Sequence, residues 1–185
     1  MLGLGSSIFT NKRPTLRLLD TYTSDFTSGV DGWAAHDVQG TLTISYNQTI
    51  DSTNGWLKCA YDTNQTDLLS GIAKLNIVTP AIRIAGDYFT VSYKLYLENV
   101  SGEDWGGADD VEHIFKYGGV GTGFLITAEQ DTTVTKSNLK SAIQDDDYND
   151  TGQFYFSVAG DKPSADAVFY IKDIVLKVYR PEIIH

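Results

Sequence analysis

The sequence contains little cysteine, little histidine and no long apolar run. One cysteine, Cys59, among 185 residues excludes an internal disulfide. The three histidines, at positions 36, 113 and 185, stand far apart, so the chain lacks zinc-ligand spacing. No segment approaches the roughly 18 consecutive apolar residues of a membrane-spanning helix. We therefore expect neither a zinc site nor a membrane partner.

Basic residues are also scarce. The chain has 14 Lys and Arg against 24 Asp and Glu, a formal net charge of −10. Nucleic-acid-binding proteins present a basic footprint, so we expect no nucleic-acid partner. The charge is unevenly divided. Residues 1–20 hold three basic and one acidic side chain, a net of +2, and the remaining residues carry −12.

Sequence motifs of common catalytic and ion-binding sites are missing. The glycine-rich stretch Gly118–Gly123 lacks the Lys-Ser/Thr ending of a phosphate-binding loop. The acidic stretch Asp145–Gly152 departs from an EF-hand, because Asp150 stands where Gly is required and Phe156 where Glu is required. A pair of carboxylates for glycoside hydrolysis remains an alternative, because the sequence does not give the distance between acidic residues. We expect a protein that is not an enzyme.

Alternation of apolar and polar residues with period two predicts β-strands. In Tyr88–Leu97, alternate apolar residues form an inward face and Tyr96 points outward. The alternation recurs in Thr41–Tyr46, Trp56–Tyr61 and Gln153–Ala159. It places Tyr46 and Cys59 in the core, whereas Thr135–Gln144 is predicted as a short helix. Many short strands between turn-forming clusters predict an all-β fold, an antiparallel β-sandwich.

The last predicted strand contains an irregularity. Phe169 and Ile171 alternate regularly, but the apolar set then moves by one residue to Ile174. Such a slip is typical of a β-bulge at Lys172 and Asp173. A bulge re-aims its side chain, so Asp173 is either a candidate ligand or an exposed acid at a sheet edge.

Two motifs resemble those of the jelly-roll carbohydrate-binding modules with a galactose-binding-domain-like fold. The phrase Asp25–Trp33 is similar to their first strand, and Phe169–Leu176 is similar to their last. Gly55–Ala60 and Tyr88–Tyr96 resemble the second and central strands. The resemblance covers about residues 22–180 and implies a jelly roll that binds rather than cleaves carbohydrate.

Members of this family often hold a structural calcium ion where the first and last strands meet. The matching positions are Asp25 and Asp173. This sequence departs from the family pattern at two positions: Thr27 stands where Glu is common, and Lys172 replaces the first acid of a pair. The resemblance therefore implies either no cofactor or a structural Ca²⁺ at these two carboxylates.

Such modules use exposed aromatic rings as platforms for sugars. The candidate ligand or partner contacts are Trp105, in a polar loop, and Tyr88, Tyr96 and Tyr155, on outward strand faces. Trp56 is a further candidate. Trp33 lies within the first motif and is expected in the core.

The first residues, Met1–Ser7, resemble the starts of small structural proteins of tailed bacteriophages. No export signal is recognisable, because the positive charges follow the apolar stretch. Residues 1–21 are therefore predicted to form an extended docking arm before a jelly-roll domain at 22–185, or else a frayed terminus. The arm residues expected to dock are Leu2, Leu4, Ile8, Phe9, Lys12, Arg13 and Arg17.

These observations favour a non-enzymatic phage virion structural protein, located in the virion as a capsid decoration or a head- or tail-associated component. Its expected partners are phage capsid or tail proteins, with self-association and weak glycan binding as further interactions. The alternative hypothesis is a carbohydrate-binding module or lectin that acts outside a virion.

Overall fold

A computed structural model describes residues 15–36, 38–65, 71–74, 86–98, 111–117, 120–126, 131–142, 154–159 and 165–182. The described residues form strands and turns without a helix, and so contain no helix able to span a membrane. The strands are β1 Thr15–Ser24, β2 Trp33–His36, β3 Leu42–Ile50, β4 Thr53–Tyr61, β5 Gly71–Lys74, β6 Tyr88–Glu98, β7 Val111–Tyr117, β8 Val120–Ile126, β9 Thr133–Ala142, β10 Phe154–Ala159 and β11 Val168–Glu182.

The strands form two antiparallel sheets. Sheet A has the order β3-β4-β11-β6-β9, with β1 also paired to β11. Sheet B has the order β2-β5-β10-β7-β8. The chain passes repeatedly from one sheet to the other, and apolar residues of both sheets share one core. This arrangement confirms the predicted antiparallel β-sandwich of the jelly-roll type.

The core lies between the sheets and follows the predicted alternation. Every second residue of β6 from Phe89 to Leu97 is buried. Sheet B contributes Trp33, as predicted, and Phe156. The Phe156 ring contacts Tyr93 and Phe169 of sheet A, with centroid distances of 5.8 and 5.5 Å. These ring contacts, together with the buried aliphatic residues around them, hold the two sheets together.

A partly buried polar network also joins the sheets. Ser24 of β1 donates to Asp31 Oδ2 at 2.7 Å and accepts a hydrogen bond from Trp33 Nε1 at 3.0 Å. Tyr22 lies beside Ser24, and Lys74 of β5 donates to the Tyr22 hydroxyl. Because every lone pair of the buried Ser24 hydroxyl finds a partner, the network stabilises the contact between β1 and sheet B.

Strand β11 changes partners halfway along its length. Val168–Ile171 pair with β4, whereas Ile174–Glu182 pair with β1. Between these segments the register with β6 shifts by one residue, and Asp173 adopts a left-handed φ of 52°. These features confirm the predicted bulge. It turns the apolar set of β11 back toward the core after Lys172.

Strand β4 separates from β11 near the point where β1 begins to pair with β11. It pairs with β11 no further back than Leu57, and the preceding residues continue only with β3. At Gly55 the φ angle is +85°, and a Cβ there would lie 2.8 Å from the Asp25 carbonyl oxygen. Only glycine allows the two backbones to cross so closely. Beyond this crossing, β3 and β4 form a hairpin that departs from the sheet.

Two sequence predictions were wrong. Tyr46 was expected in the core but is 48% exposed, because the pairing of β3 with β4 shifts after Ser45. Thr135–Gln144 was expected to be helical, yet its described residues lie in β9. Pairing with β6 satisfies the backbone of this segment as a strand, and β-branched Thr133 and Val134 favour that geometry.

The predicted boundary of the N-terminal arm, after residue 21, falls inside β1. Residues 15–21 pair with β11, so this part of the predicted arm is an edge strand of sheet A. Arg17, assigned to docking, forms an exposed ion pair with Glu182 of β11 at 3.3 Å, and its role in docking stays a prediction. The other predicted arm residues, Leu2, Leu4, Ile8, Phe9, Lys12 and Arg13, lie outside the described residues.

Candidate ligand-binding face

The outward side chains of sheet A form a continuous surface, which we call the outer face. In β6, the residues between the buried ones project here, from Tyr88 to Glu98. In β11, Val168 and Tyr170 project here before the bulge, and Lys177 and Tyr179 after it. Two tyrosine pairs lie on this face, one near each end of β6. Each pair lies in its own half of the face.

The first half, which we call the covered half, centres on Trp56. Its indole is 1% exposed, although it lies on the opposite side of the sheet from the main core. Trp56 packs with Val168 and Tyr170, and Ile50 and Tyr96 complete the cluster. Trp56 was a candidate sugar platform, but its burial makes it the centre of a second, smaller core.

The β3–β4 hairpin covers this cluster. Its turn, at Asp51 and Ser52, has left-handed φ angles of 48° and 62°. Thr133 Oγ1 of β9 donates to Asp51 Oδ2 at 2.5 Å. Strands β11 and β6 lie between β4 and β9, a span of about 14 Å at normal strand spacing. The hairpin therefore crosses the outer face to reach β9.

Acidic residues surround the tyrosine pair of the covered half. Tyr170 donates to Glu98 Oε2 at 2.9 Å, and Tyr96 donates to Asp131 Oδ1 at 3.2 Å. Burial raises the pKa of both phenols, and the neighbouring carboxylates raise it further. Both hydroxyls therefore remain protonated donors at neutral pH, and each is engaged by a carboxylate.

The second half, which we call the open half, lies beyond the bulge. The rings of Tyr88 and Tyr179 stack with a centroid distance of 5.3 Å and an interplanar angle of 21°. Lys140 of β9 places its Nζ 3.9 Å from the centre of the Tyr88 ring. Tyr88 is only 7% exposed, and burial raises its pKa, whereas Tyr179 is half-buried beside exposed Leu18.

Besides Val175, hydroxyl and ammonium groups line the open half. Strand register places four residues in one row across β1, β11, β6 and β9: Thr21, Lys177, Thr90 and Lys140. Ser92 and Lys94 follow along β6, and Lys94 Nζ lies 2.9 Å from Asp173 Oδ2. The open half therefore presents stacked tyrosines, hydroxyls and lysines on a hydrogen-bonded sheet.

The residues at the predicted calcium position do not fit a calcium ion. Asp25 Oδ1 accepts the backbone N–H and the hydroxyl of Thr27, and these hydrogen bonds, with a smaller contribution from Lys172, lower the pKa of Asp25. Asp173 is paired with Lys94. Calcium takes about six to eight oxygen ligands, whereas the described residues contain no cluster of three or more His, Cys, Asp or Glu suited to a metal.

The predicted contact residues lie partly on sheet A, partly on sheet B and partly outside the described residues. Tyr88 and Tyr96 both lie on the outer face, in the open and the covered half respectively. Tyr155 belongs to β10 in sheet B, and its side chain, like all of Trp105, lies outside the described residues. Tyr179 and Lys177 were not among the predicted contacts, although continuing the alternation beyond the bulge places both outward.

The sequence matches no known family profile and no curated protein. Two solved structures are similar in fold. One comprises the CBM22-1 and GH10 modules of the N-terminal endo-1,4-β-D-xylanase 10B from Clostridium thermocellum, complexed with xylohexaose (TM-score 0.47, 11% identity, 84% of this chain). This chain spans 28% of that protein. The other is the N-terminal cellulose-binding domain of Cellulomonas fimi β-1,4-glucanase C (TM-score 0.43, 19% identity, 86% of this chain and 95% of that one).

Proposed function

We propose that this protein is a non-catalytic carbohydrate-binding module whose ligand lies on the open half of the outer face. The observation that carries the proposal is the stacked Tyr88–Tyr179 pair beside hydroxyls and lysines of neighbouring strands. The sequence resemblance to jelly-roll carbohydrate-binding modules agrees with it.

The chemistry of this surface suits a sugar chain. A pyranose ring presents apolar C–H groups on its faces and hydroxyls around its edge. Aromatic rings such as Tyr179 pack against the former, and the side chains of Thr90, Ser92 and Lys177 offer hydrogen bonds to the latter. Because sheet hydrogen bonds fix these residues on neighbouring strands, binding would order few additional groups.

Affinity electrophoresis against a panel of soluble neutral and acidic polysaccharides tests the proposal. We expect at least one polysaccharide to retard the protein, and Tyr179→Ala to weaken that retardation at least tenfold. Tyr46→Ala is the matched control, because Tyr46 is exposed on β3, away from the open half. Trp105→Ala tests the loop position predicted from sequence. Retardation by no polysaccharide, or equal retardation of Tyr179→Ala, would rule the open half out.

A virion structural role is a second candidate, and one observation favours it. Leu16 and Leu18 of β1 are 56% and 50% exposed and lie within the basic first 20 residues, on either side of Arg17. Exposed leucines on an edge strand suit packing against another protein. Substituting both leucines by Ser should reduce incorporation into phage particles, measured on purified virions. Undiminished incorporation would remove this role.

A further inference from the structure

The open half is rich in basic side chains, whereas the protein as a whole is acidic. The chain has a net charge of −10, yet Lys94, Lys140 and Lys177 lie together on this surface. Among the described residues of the open half, Asp173 is an acid that pairs with one of these lysines, Lys94. From this segregation we infer that the ligand is an acidic polysaccharide, bearing carboxylate or sulfate groups. This inference rests on the proposed function and names its ligand class.

The spacing of the lysines favours an extended polyanion over a small anion. Lys177 and Lys140 occupy one row and are separated by β6, so their Cα atoms lie about 10 Å apart. Lys94 lies four residues from that row along β6, about 13 Å away. One phosphate or carboxylate held between Lys140 and Lys177 leaves Lys94 without a contact, because Lys94 lies too far along β6. A polymer with a charge on successive sugar units can contact all three.

Three other acids lie at the covered end of the outer face. Glu98 and Asp131 accept hydrogen bonds from tyrosines of the covered half, and Asp51 accepts one from Thr133. Lys94 and Asp173 are each 41% exposed, so water weakens their ion pair and leaves Lys94 able to contact a ligand.

The overall negative charge of the protein does not prevent such binding. At physiological ionic strength, charges further than about 8 Å apart are largely screened. A ligand on the open half therefore responds mainly to the lysines beside it. It follows that binding should weaken as salt rises, because salt also screens these close contacts.

The test compares polygalacturonate with the same polymer after full methyl esterification, which removes the charge and keeps the sugar chain; alginate and heparin extend the acidic set. We expect an acidic polymer to bind at low salt, and polygalacturonate to bind at least tenfold more tightly than its ester. The double substitution Lys140→Gln and Lys177→Gln should cost at least tenfold. Lys58→Gln is the matched control, since Lys58 lies on the outer face beside Tyr170 of the covered half.

Each outcome decides one part. Equal binding of polygalacturonate and its ester, or binding of neutral polysaccharides alone, would overturn the acidic ligand and leave the proposed carbohydrate function standing. Equal binding of polyglutamate or single-stranded DNA, insensitive to Tyr179→Ala, would indicate a general polyanion surface and overturn the inference. Binding of no polysaccharide would overturn the proposed function itself.

Discussion

The two halves of the outer face differ although each is built around a tyrosine pair. In the covered half, Tyr96 and Tyr170 meet edge to face at 5.8 Å and are bordered by carboxylates. In the open half, Tyr88 and Tyr179 stack at 5.3 Å and are bordered by lysines. One half lies under a hairpin and the other does not. The hairpin encloses the first pair, whereas in the open half Tyr88 is buried and the half-buried Tyr179 is the ring that the hairpin leaves uncovered.

The difference begins where β11 changes partners. The bulge at Asp173 ends the pairing with β4 and begins the pairing with β1. Once released from β11, β4 crosses Asp25 at Gly55 and carries the hairpin over Tyr170 and Tyr96. Strand β1 fills the vacated place in the sheet, and the outer face beside it stays uncovered by that hairpin.

The largest contrast is expected between Trp56→Ala and Tyr179→Ala. Trp56 is fully buried, so its truncation should lower the free energy of unfolding by about 3–5 kcal/mol. Tyr179→Ala should cost about 1 kcal/mol, the value of a stacked aromatic pair, while abolishing polysaccharide binding. Chemical denaturation measures both losses of stability. Equal stability losses would contradict the division into a structural and an available half.

The crossing at Gly55 is tested by comparing two glycines. Gly55→Ala combines a φ of +85° with a Cβ 2.8 Å from the Asp25 carbonyl, and should cost about 2–3 kcal/mol. Gly86→Ala has a similar φ of +90° without a neighbour within 4 Å, and should cost about 1 kcal/mol. Thermal unfolding of both variants gives the difference. If Gly86→Ala costs as much, the close crossing contributes nothing.

Alkaline pH should destabilise the protein through its protected tyrosines. Burial raises the pKa of Tyr93 in the core and of Tyr170 in the covered half above the ordinary 10.0, and for Tyr170 the bond to Glu98 adds to it. Below pH 10 these tyrosines make their full contribution to the free energy of unfolding. Above it the unfolded chain loses protons that the folded chain keeps, so the free energy of unfolding falls, by about 1.4 kcal/mol per pH unit for Tyr93.

Denaturation curves at pH 9, 10 and 11 measure this loss. Tyr170→Phe removes the contribution of Tyr170, one of the two covered-half tyrosines whose pKa is raised, and should flatten the decline between pH 10 and 11. Tyr46→Phe, at an exposed tyrosine, is the control and should leave the decline unchanged. An unchanged decline in Tyr170→Phe would mean that the covered half does not protect its phenol.

The smallest effect is expected at the hairpin tip. Thr133→Val keeps the shape of the side chain and removes the hydrogen bond to Asp51, at a cost of about 1 kcal/mol. Thr135→Val, on the same face of β9 and outside the hairpin contact, should be nearly neutral. Amide hydrogen exchange within Thr49–Asn54 should quicken in the first variant alone. Equal exchange in both would show that the hairpin is held by packing.

Local pattern was enough to predict the fold class, the inward residues of β6 and the bulge at Asp173. Each of these features follows from the alternation of apolar and polar residues along a strand, which the sequence of that strand shows directly. The covered half was beyond such reasoning, because its hydrogen bond between Asp51 and Thr133 joins residues 82 positions apart. The placement of Lys177 and Lys140 in one row was missed for the same reason. It arises only through the register of β11, β6 and β9. Because β9 was predicted as a helix, Lys140 could not be placed in that row.

The central claim is that ligand binds the open half. Backbone amide chemical shifts recorded during titration with an acidic oligosaccharide, such as oligogalacturonate, test it most directly. We predict that the shifts concentrate in Thr90–Lys94 of β6, around Lys140 of β9 and in Lys177–Tyr179 of β11. Shifts concentrated in sheet B or in the β3–β4 hairpin, or the absence of shifts, would contradict the account.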